Sequence, residues 1–211
     1  MIRHLRACDD LRACDDRKEA IASSDASSSD PESLYHLRVE DAWTTTFWLD
    51  LEMRGSAELS ELDRYLRAIW LECCGHMSQF STGGWQGNEI PTSRTIDQVL
   101  DADGELTHIY DFGTSSETHI SVADLREGRP PTRHPIALMA RNQPPEVECM
   151  ACEQPAAWLC IECQYEEGTD GTLCDAHAET HSHSSYGPPL PILNSPRTGM
   201  CGYTGPAEPP Y

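Results

Sequence analysis

From Tyr35 onward, apolar and polar positions alternate in "YHLRVEDA" and again in "TTTFWLDLEM", with β-branched and aromatic residues enriched, which predicts two strands. The period then changes. In "GSAELSELDRYLRAIWLECCG", Leu59, Leu62, Leu66, Ile69, Trp70 and Cys73 share one stripe at helical spacing, with Ser56 placed as a cap and Gly75 as a stop. "MSQFST" predicts a short strand, "GGWQGNEIP" a loop, and "SRTIDQVL" a short helix that stops at "DADGE". "LTHIYDF" and "ETHISVA" predict a strand pair across "GTSS"; "REGRPPTRHP" has the composition of a linker, and "IALMARN" returns as a last strand. Strands and a helix in mixed order, with few βαβ units, predict an α+β fold: a small mixed or antiparallel sheet with one main helix, followed by a C-terminal module rich in cysteine and histidine.

The two flanks lack such periods. Residues 1–33 hold the tandem "LRACDDLRACDD" and then "SSDASSSDPES", the composition of a disordered acidic arm. Cys8 and Cys14 each precede an Asp pair there without a CxxC partner, and read as part of a solvated tail. Residues 186–211 hold seven prolines and four glycines and are expected to form no regular element. The expected organisation is therefore an arm at 1–33, an α+β domain at 34–141, a metal module at 147–185 and a Pro/Gly-rich tail at 186–211.

Composition narrows the function. The net charge is -20, from 35 acidic against 15 basic residues, and Lys18 is the only lysine. Affinity for phosphate backbones comes from Lys and Arg displacing counterions, so nucleic acid is not an expected partner. An acid-rich, lysine-poor surface also resembles proteins of halophilic cytoplasm, where salt screens self-repulsion. "MIRHLRACDDLRACDD" has no apolar signal region, and no apolar run approaches the ~20 residues that span a bilayer, so no membrane partner is expected. The expected compartment is a reducing cytoplasm, in which closely spaced cysteines hold metal more often than they form disulfides.

The chemistry concentrates in "CMACEQPAAWLCIECQYEEGTDGTLCDAHAETHSH". Zinc requires four soft or borderline donors at tetrahedral corners, and a Cys-x2-Cys turn presents two sulfurs with little strain. Cys149/Cys152 and Cys160/Cys163 are two such turns, Cys174/His177 is a third pair, and His181/His183 a fourth. Four pairs supply two sites. In a sequential scheme the first two turns hold one ion and the last four ligands another. In an interleaved scheme the first and third pairs share one ion, the second and fourth the other. Either way eight ligands leave no open position on two ions, which predicts structural rather than catalytic zinc. Cys201, in "GMCGYTG", lies outside this spacing and is expected to be a buried thiol, with a substitute metal ligand as the alternative.

Two family resemblances sharpen these expectations. The long third gap and the Cys-x2-His-x3-His ending of residues 149–183 resemble the B-box group of zinc fingers. That resemblance implies the interleaved scheme: Cys149, Cys152, Cys174 and His177 at one ion, and Cys160, Cys163, His181 and His183 at the other. Residues from about Tyr35 to Val122, with "TFWLDLE", "LSELDRYLRAIW", "GHMSQF" and above all "YDFG" at Tyr110–Gly113, resemble the plasmid pRiA4b Orf-three-like family, which implies an α+β fold and carries no established chemistry. Glu117 and Ile120 agree with the pattern of that family, whereas Thr114, Ser116 and Thr118 replace its Asp, Trp and His. His119 is one residue late, and on a strand that step points a side chain to the opposite face.

The expected function is that of a non-catalytic zinc-binding protein, a protein-interaction or regulatory module with two structural ions and another protein as partner. The alternative is a metal-dependent enzyme or a nucleic-acid-processing protein of mobile-element type, with a site near His76, Asp111 and His119. Cys73, on the apolar stripe, is expected to be an inert buried thiol, and Trp48, Trp70, Tyr110 and Phe112 to be core.

Overall fold

The alternation read at residues 35–53 builds the first two strands of a computed structural model that describes residues 30–211. The expected arm, with Cys8 and Cys14, lies up to residue 29 outside the described residues. The chain divides into two units, one of residues 30–66, 77–142 and Tyr211, the other of residues 67–76 and 143–210.

In the first unit, β1 (Glu32–Asp41), β2 (Trp48–Arg54), β3 (Ser78–Thr82), β4 (Asn88–Ile90), β5 (Glu105–Tyr110), β6 (Ser116–Gly128) and β7 (Ile136–Arg141) form one sheet in the order β4-β3-β5-β6-β1-β2-β7. Every pairing is antiparallel. The α+β class holds, with strands dominant. Register places Tyr35, Leu37 and Val39 opposite Met53, Leu51 and Leu49, and all six are buried. The other face of the same pair is ionic: His36 and Arg38 contact Asp50 at 3.0 and 3.3 Å, and Arg126 binds Glu52 at 2.9 Å. Alternation with a period of two thus separates an apolar face from a charged one.

Helix α1 (Leu59–Leu66) buries Leu59, Leu62, Tyr65 and Leu66. Asp63 fixes it to the sheet, accepting from Ser78 Oγ at 2.6 Å and contacting His108 Nε2 at 2.8 Å. The expected cap is displaced. Ser56 Oγ donates to Glu32 at 2.7 Å, and the first amides of the helix instead find the carbonyls of Arg94 and Thr92 at 2.9 and 2.8 Å. The predicted stripe is buried through Ile69 and Trp70 and loses only its last member, because Arg67–Leu71 is a π-helical turn closed by Glu72 N–H on the Arg67 carbonyl at 2.8 Å. One extra residue in the turn carries Cys73 off the buried face, so it is half-exposed rather than buried.

"GGWQGNEIP", expected as a loop, contains strand β4, whose Asn88, Glu89 and Ile90 pair with Thr82, Ser81 and Phe80. Gly87 makes this hairpin feasible, since a Cβ there would fall 1.8 Å from the Thr82 carbonyl oxygen. Of the expected core aromatics, Trp70 and Tyr110 are fully buried. Trp48 is half-buried beneath the Arg38 guanidinium at 4.3 Å, and Phe112 is exposed, edge-on to Trp85 at 5.3 Å.

In the second unit Ile69, Trp70, Leu71 and Tyr203 are fully buried, whereas residues 149–183 bury little apolar side chain. Strands β8 (Trp158–Leu159), β9 (Thr172–Leu173) and β10 (Leu190–Pro191) form a small sheet in the order β10-β8-β9, and helices α2 (Ile161–Tyr165) and α3 (Asp175–Thr180) follow β8 and β9. A cluster of Cys160, Cys163 and Leu173, with Trp158 and Ala178 against it, forms a core of this unit. The Pro/Gly tail, expected to lack regular structure, contributes β10 and buries Ser195, Arg197 and Tyr203 completely. Among the described residues no helix is long and apolar enough to cross a membrane.

Candidate metal centres

Short turns and helix starts aim the donors. Cys149 and Cys152 close a turn in which Cys152 N–H donates to the Cys149 carbonyl at 3.2 Å. Cys174 is the N-cap residue of α3, and His177 follows one turn later on the same side. Cys160 caps α2, its sulfur accepting from Cys163 N–H at 3.5 Å, and His181 ends α3. Gly171 allows β9 to approach the Cys160 turn: its φ is +69°, and a Cβ would lie 2.5 Å from the Cys160 carbonyl oxygen.

These elements gather the eight side chains into two groups, Cys149/Cys152/Cys174/His177 and Cys160/Cys163/His181/His183, with the donor atoms of each within 4.8 Å of one another. The grouping joins alternate pairs, as in the interleaved scheme. In the first group His177 Nδ1 lies 3.4, 3.5 and 3.2 Å from the sulfurs of Cys149, Cys152 and Cys174, and Cys152 lies 3.8 Å from Cys174. In the second, His183 Nδ1 lies 3.7 and 3.2 Å from Cys160 and Cys163, and His181 Nε2 lies 3.3 Å from Cys163. Tetrahedral zinc, with Zn–S near 2.3 Å and Zn–N near 2.0–2.1 Å, sets its corners about 3.8 Å apart for two sulfurs and about 3.6 Å for sulfur and nitrogen. The donors fit those edges. One ring nitrogen can serve a single hydrogen bond well, so three sulfurs at near-equal distance from His177 Nδ1 are the geometry of shared coordination.

The surroundings tune the donors. Burial pushes the Cys149 thiol up, but backbone N–H groups of Ala151 and Cys174 and the neighbouring thiols more than offset it, and hold it at about 6. Cys163 is pushed up to about 12, first by burial and then by the Cys160 thiol and the Glu167 carboxylate. One negative sulfur thus raises the cost of the next, and a divalent cation would supply the missing countercharge. His183 points Nδ1 into the cluster and leaves Nε2 3.4 Å from Glu167, the placement of an outer carboxylate that orients a ligating imidazole.

A third group was not read from the sequence: Cys73, Cys74, His76 and Cys201, whose donors also lie within 4.8 Å of one another. Cys201, expected to be buried, is exposed. The spacing rules that find paired knuckles cannot join residues more than 120 positions apart; the one local signal is the Cys-Gly step shared by Cys74-Gly75 and Cys201-Gly202. Together the three groups take up all eight cysteines among the described residues.

Of the other candidates, Asp111 and His119 do not meet. Asp111 is buried at φ +64°, and its carboxylate accepts from Gly113 N–H at 3.0 Å within its own turn. His119 is exposed on β6, in register with Thr107 and Glu40, three ladder positions from the Tyr110/Ser116 pair that opens that turn. That is roughly 10 Å along the strand. Thr118, one residue earlier, is buried on the opposite face in register with His108. His76 belongs to the second unit.

No family model matches the chain. No curated protein does either. Among solved structures, the chain is similar to the crystal structure of the protein of unknown function MM3350 from Methanosarcina mazei Go1, at 14% identity and a TM-score of 0.45, over 52% of this chain and 69% of that one.

Proposed function

We propose that residues 147–185 form a cross-braced zinc module, B-box-like in its pairing, that holds two structural ions through Cys149, Cys152, Cys174 and His177 and through Cys160, Cys163, His181 and His183. The observation that carries this reading is closure: each group offers four protein donors at tetrahedral spacing, which leaves no corner for water or substrate. Zinc bound there supplies a crosslink. Because the ligand pairs of the two ions alternate along the chain, the two ions lock overlapping loops.

On this reading the chain is a non-catalytic protein-interaction or regulatory protein of the cytoplasm, and its partner is another protein. A rigid surface held by metal offers shape without chemistry. The first unit is proposed to belong with the plasmid pRiA4b Orf-three-like family, supported by the Tyr110–Gly113 turn and by Glu117, which accepts from Trp85 Nε1 at 2.8 Å beside Phe112. Metal content settles the pairing experimentally. Cys149→Ser and Cys160→Ser should each lower zinc by one ion and their combination by two; loss of the same single ion in both variants and in their combination would refute the interleaved scheme.

A further inference from the structure

We propose that Cys73, Cys74, His76 and Cys201 form a third zinc site, a Cys3His centre at the surface that fastens the Pro/Gly tail to the segment following the π-helical turn. All four residues lie in the second unit. Cys74 Sγ is 3.6 Å from the sulfurs of both Cys73 and Cys201 and 2.8 Å from His76 Nε2, and His76 Nε2 is 3.4 Å from Cys201. The two sulfur separations and the last distance approach tetrahedral edges, while the Cys74–His76 distance is short of one. A thiol has one proton to donate. Its sulfur accepts only weakly, so three close partners around it fit a shared centre better than a set of hydrogen bonds. Sulfurs 3.6 Å apart are not bonded, since a disulfide requires about 2.05 Å.

The backbone on both sides is shaped for this purpose. Cys201 sits at φ +50°, a conformation that L residues avoid unless their surroundings demand it, and Gly202 follows at φ +65°. Gly75, between Cys74 and His76, has φ +75°. The Cys-Cys-Gly-His turn is pinned by Arg67, which donates to Glu72 and to the His76 carbonyl at 2.8 Å each, and by Gly75 N–H on the Glu72 carboxylate. The tail is held close by Ser195 Oγ, which donates to the Trp70 carbonyl at 2.6 Å. Four donors leave no open corner, so the role is structural, and the donor set repeats that of the first group.

Exposure separates this site from the other two. Cys74 and Cys201 face solvent, whereas Cys149, Cys160, Cys163 and Cys174 are buried. The third ion is therefore the first to leave under a chelator. The test uses the full chain loaded with zinc. Native mass spectrometry should count three ions, and two in each of Cys74→Ser and Cys201→Ser. In the unsubstituted chain, zinc should slow alkylation of Cys74 and Cys201 by about 10-fold or more, and a limiting chelator should remove one ion and that protection while residues 149–183 stay protected. Two ions in the unsubstituted chain, an unchanged count in both variants, or equal alkylation with and without zinc would overturn the third site. The module at 149–183 answers separately to Cys149→Ser and Cys160→Ser.

Discussion

Stripping the metal should unfold residues 149–183 and leave the first unit intact. The magnitude follows from how little that segment buries. Leu173 is its fully buried aliphatic residue in the cluster of Cys160 and Cys163, with Trp158 and Ala178 only partly covered. Burial of one such leucine stabilises by about 1.5–3 kcal/mol, while a structural zinc contributes on the order of 10 kcal/mol of apparent folding free energy. Hydrogen exchange read by mass spectrometry reports both units at once. After chelation and removal of the chelate, the amides of Met150, Ala157, Cys160 and Ala178, bonded to the carbonyls of Thr172, Leu173, Gly171 and Cys174, should lose protection. The loss should reach at least about 1,000-fold, which needs only ~4 kcal/mol of that contribution. Amides of β1 and β6 should keep theirs, because the apolar face of Leu37, Val39 and Ile120 owes nothing to metal. Undiminished protection of residues 149–183 in metal-free protein would refute the reasoning.

Three further outcomes follow from single positions. Gly171→Ala places a Cβ against the Cys160 carbonyl at φ +69°, and zinc affinity at the Cys160/Cys163/His181/His183 group should fall while the Cys149 group keeps its ion, as read by metal competition. Asp63→Ala removes the acceptor for His108, which is fully buried, and should cost roughly 2–3 kcal/mol in urea unfolding of the first unit. Asp41→Asn should raise the melting temperature at pH 7. Burial outweighs the amides of Thr44 and Trp43 and holds the Asp41 pKa above its ordinary value, so ionisation destabilises the fold. That penalty is complete above the raised pKa and absent below the ordinary one, and the advantage of Asn, a neutral acceptor, should shrink as pH falls through that window.

Much of the first unit was legible because its physics is local. A period of two in β1 and β2 specifies which face is buried, and the stripe of leucines specifies α1. What was missed depends on distant partners. β4 has no apolar alternation and exists because Gly87 lets it turn back on β3. The end of the helix depends on a π turn that no propensity announces, and the order of the tail depends on the pairing of β10 and on Ser195 reaching the Trp70 carbonyl. The same reasoning applies to the metal donors. Knuckles three residues apart with neighbours within 35 residues can be read from spacing, whereas Cys201 lies 127 positions from Cys74.

The central claim, that coordination by protein donors replaces an apolar interior at residues 149–183, is tested most directly by zinc-edge anomalous diffraction from crystals of the full chain. The account predicts one peak among Cys149, Cys152, Cys174 and His177 and another among Cys160, Cys163, His181 and His183, each with four protein ligands at about 2.3 Å for sulfur and 2.0–2.1 Å for nitrogen. An ordered region without those peaks, or an ion there with water at one corner, would contradict it.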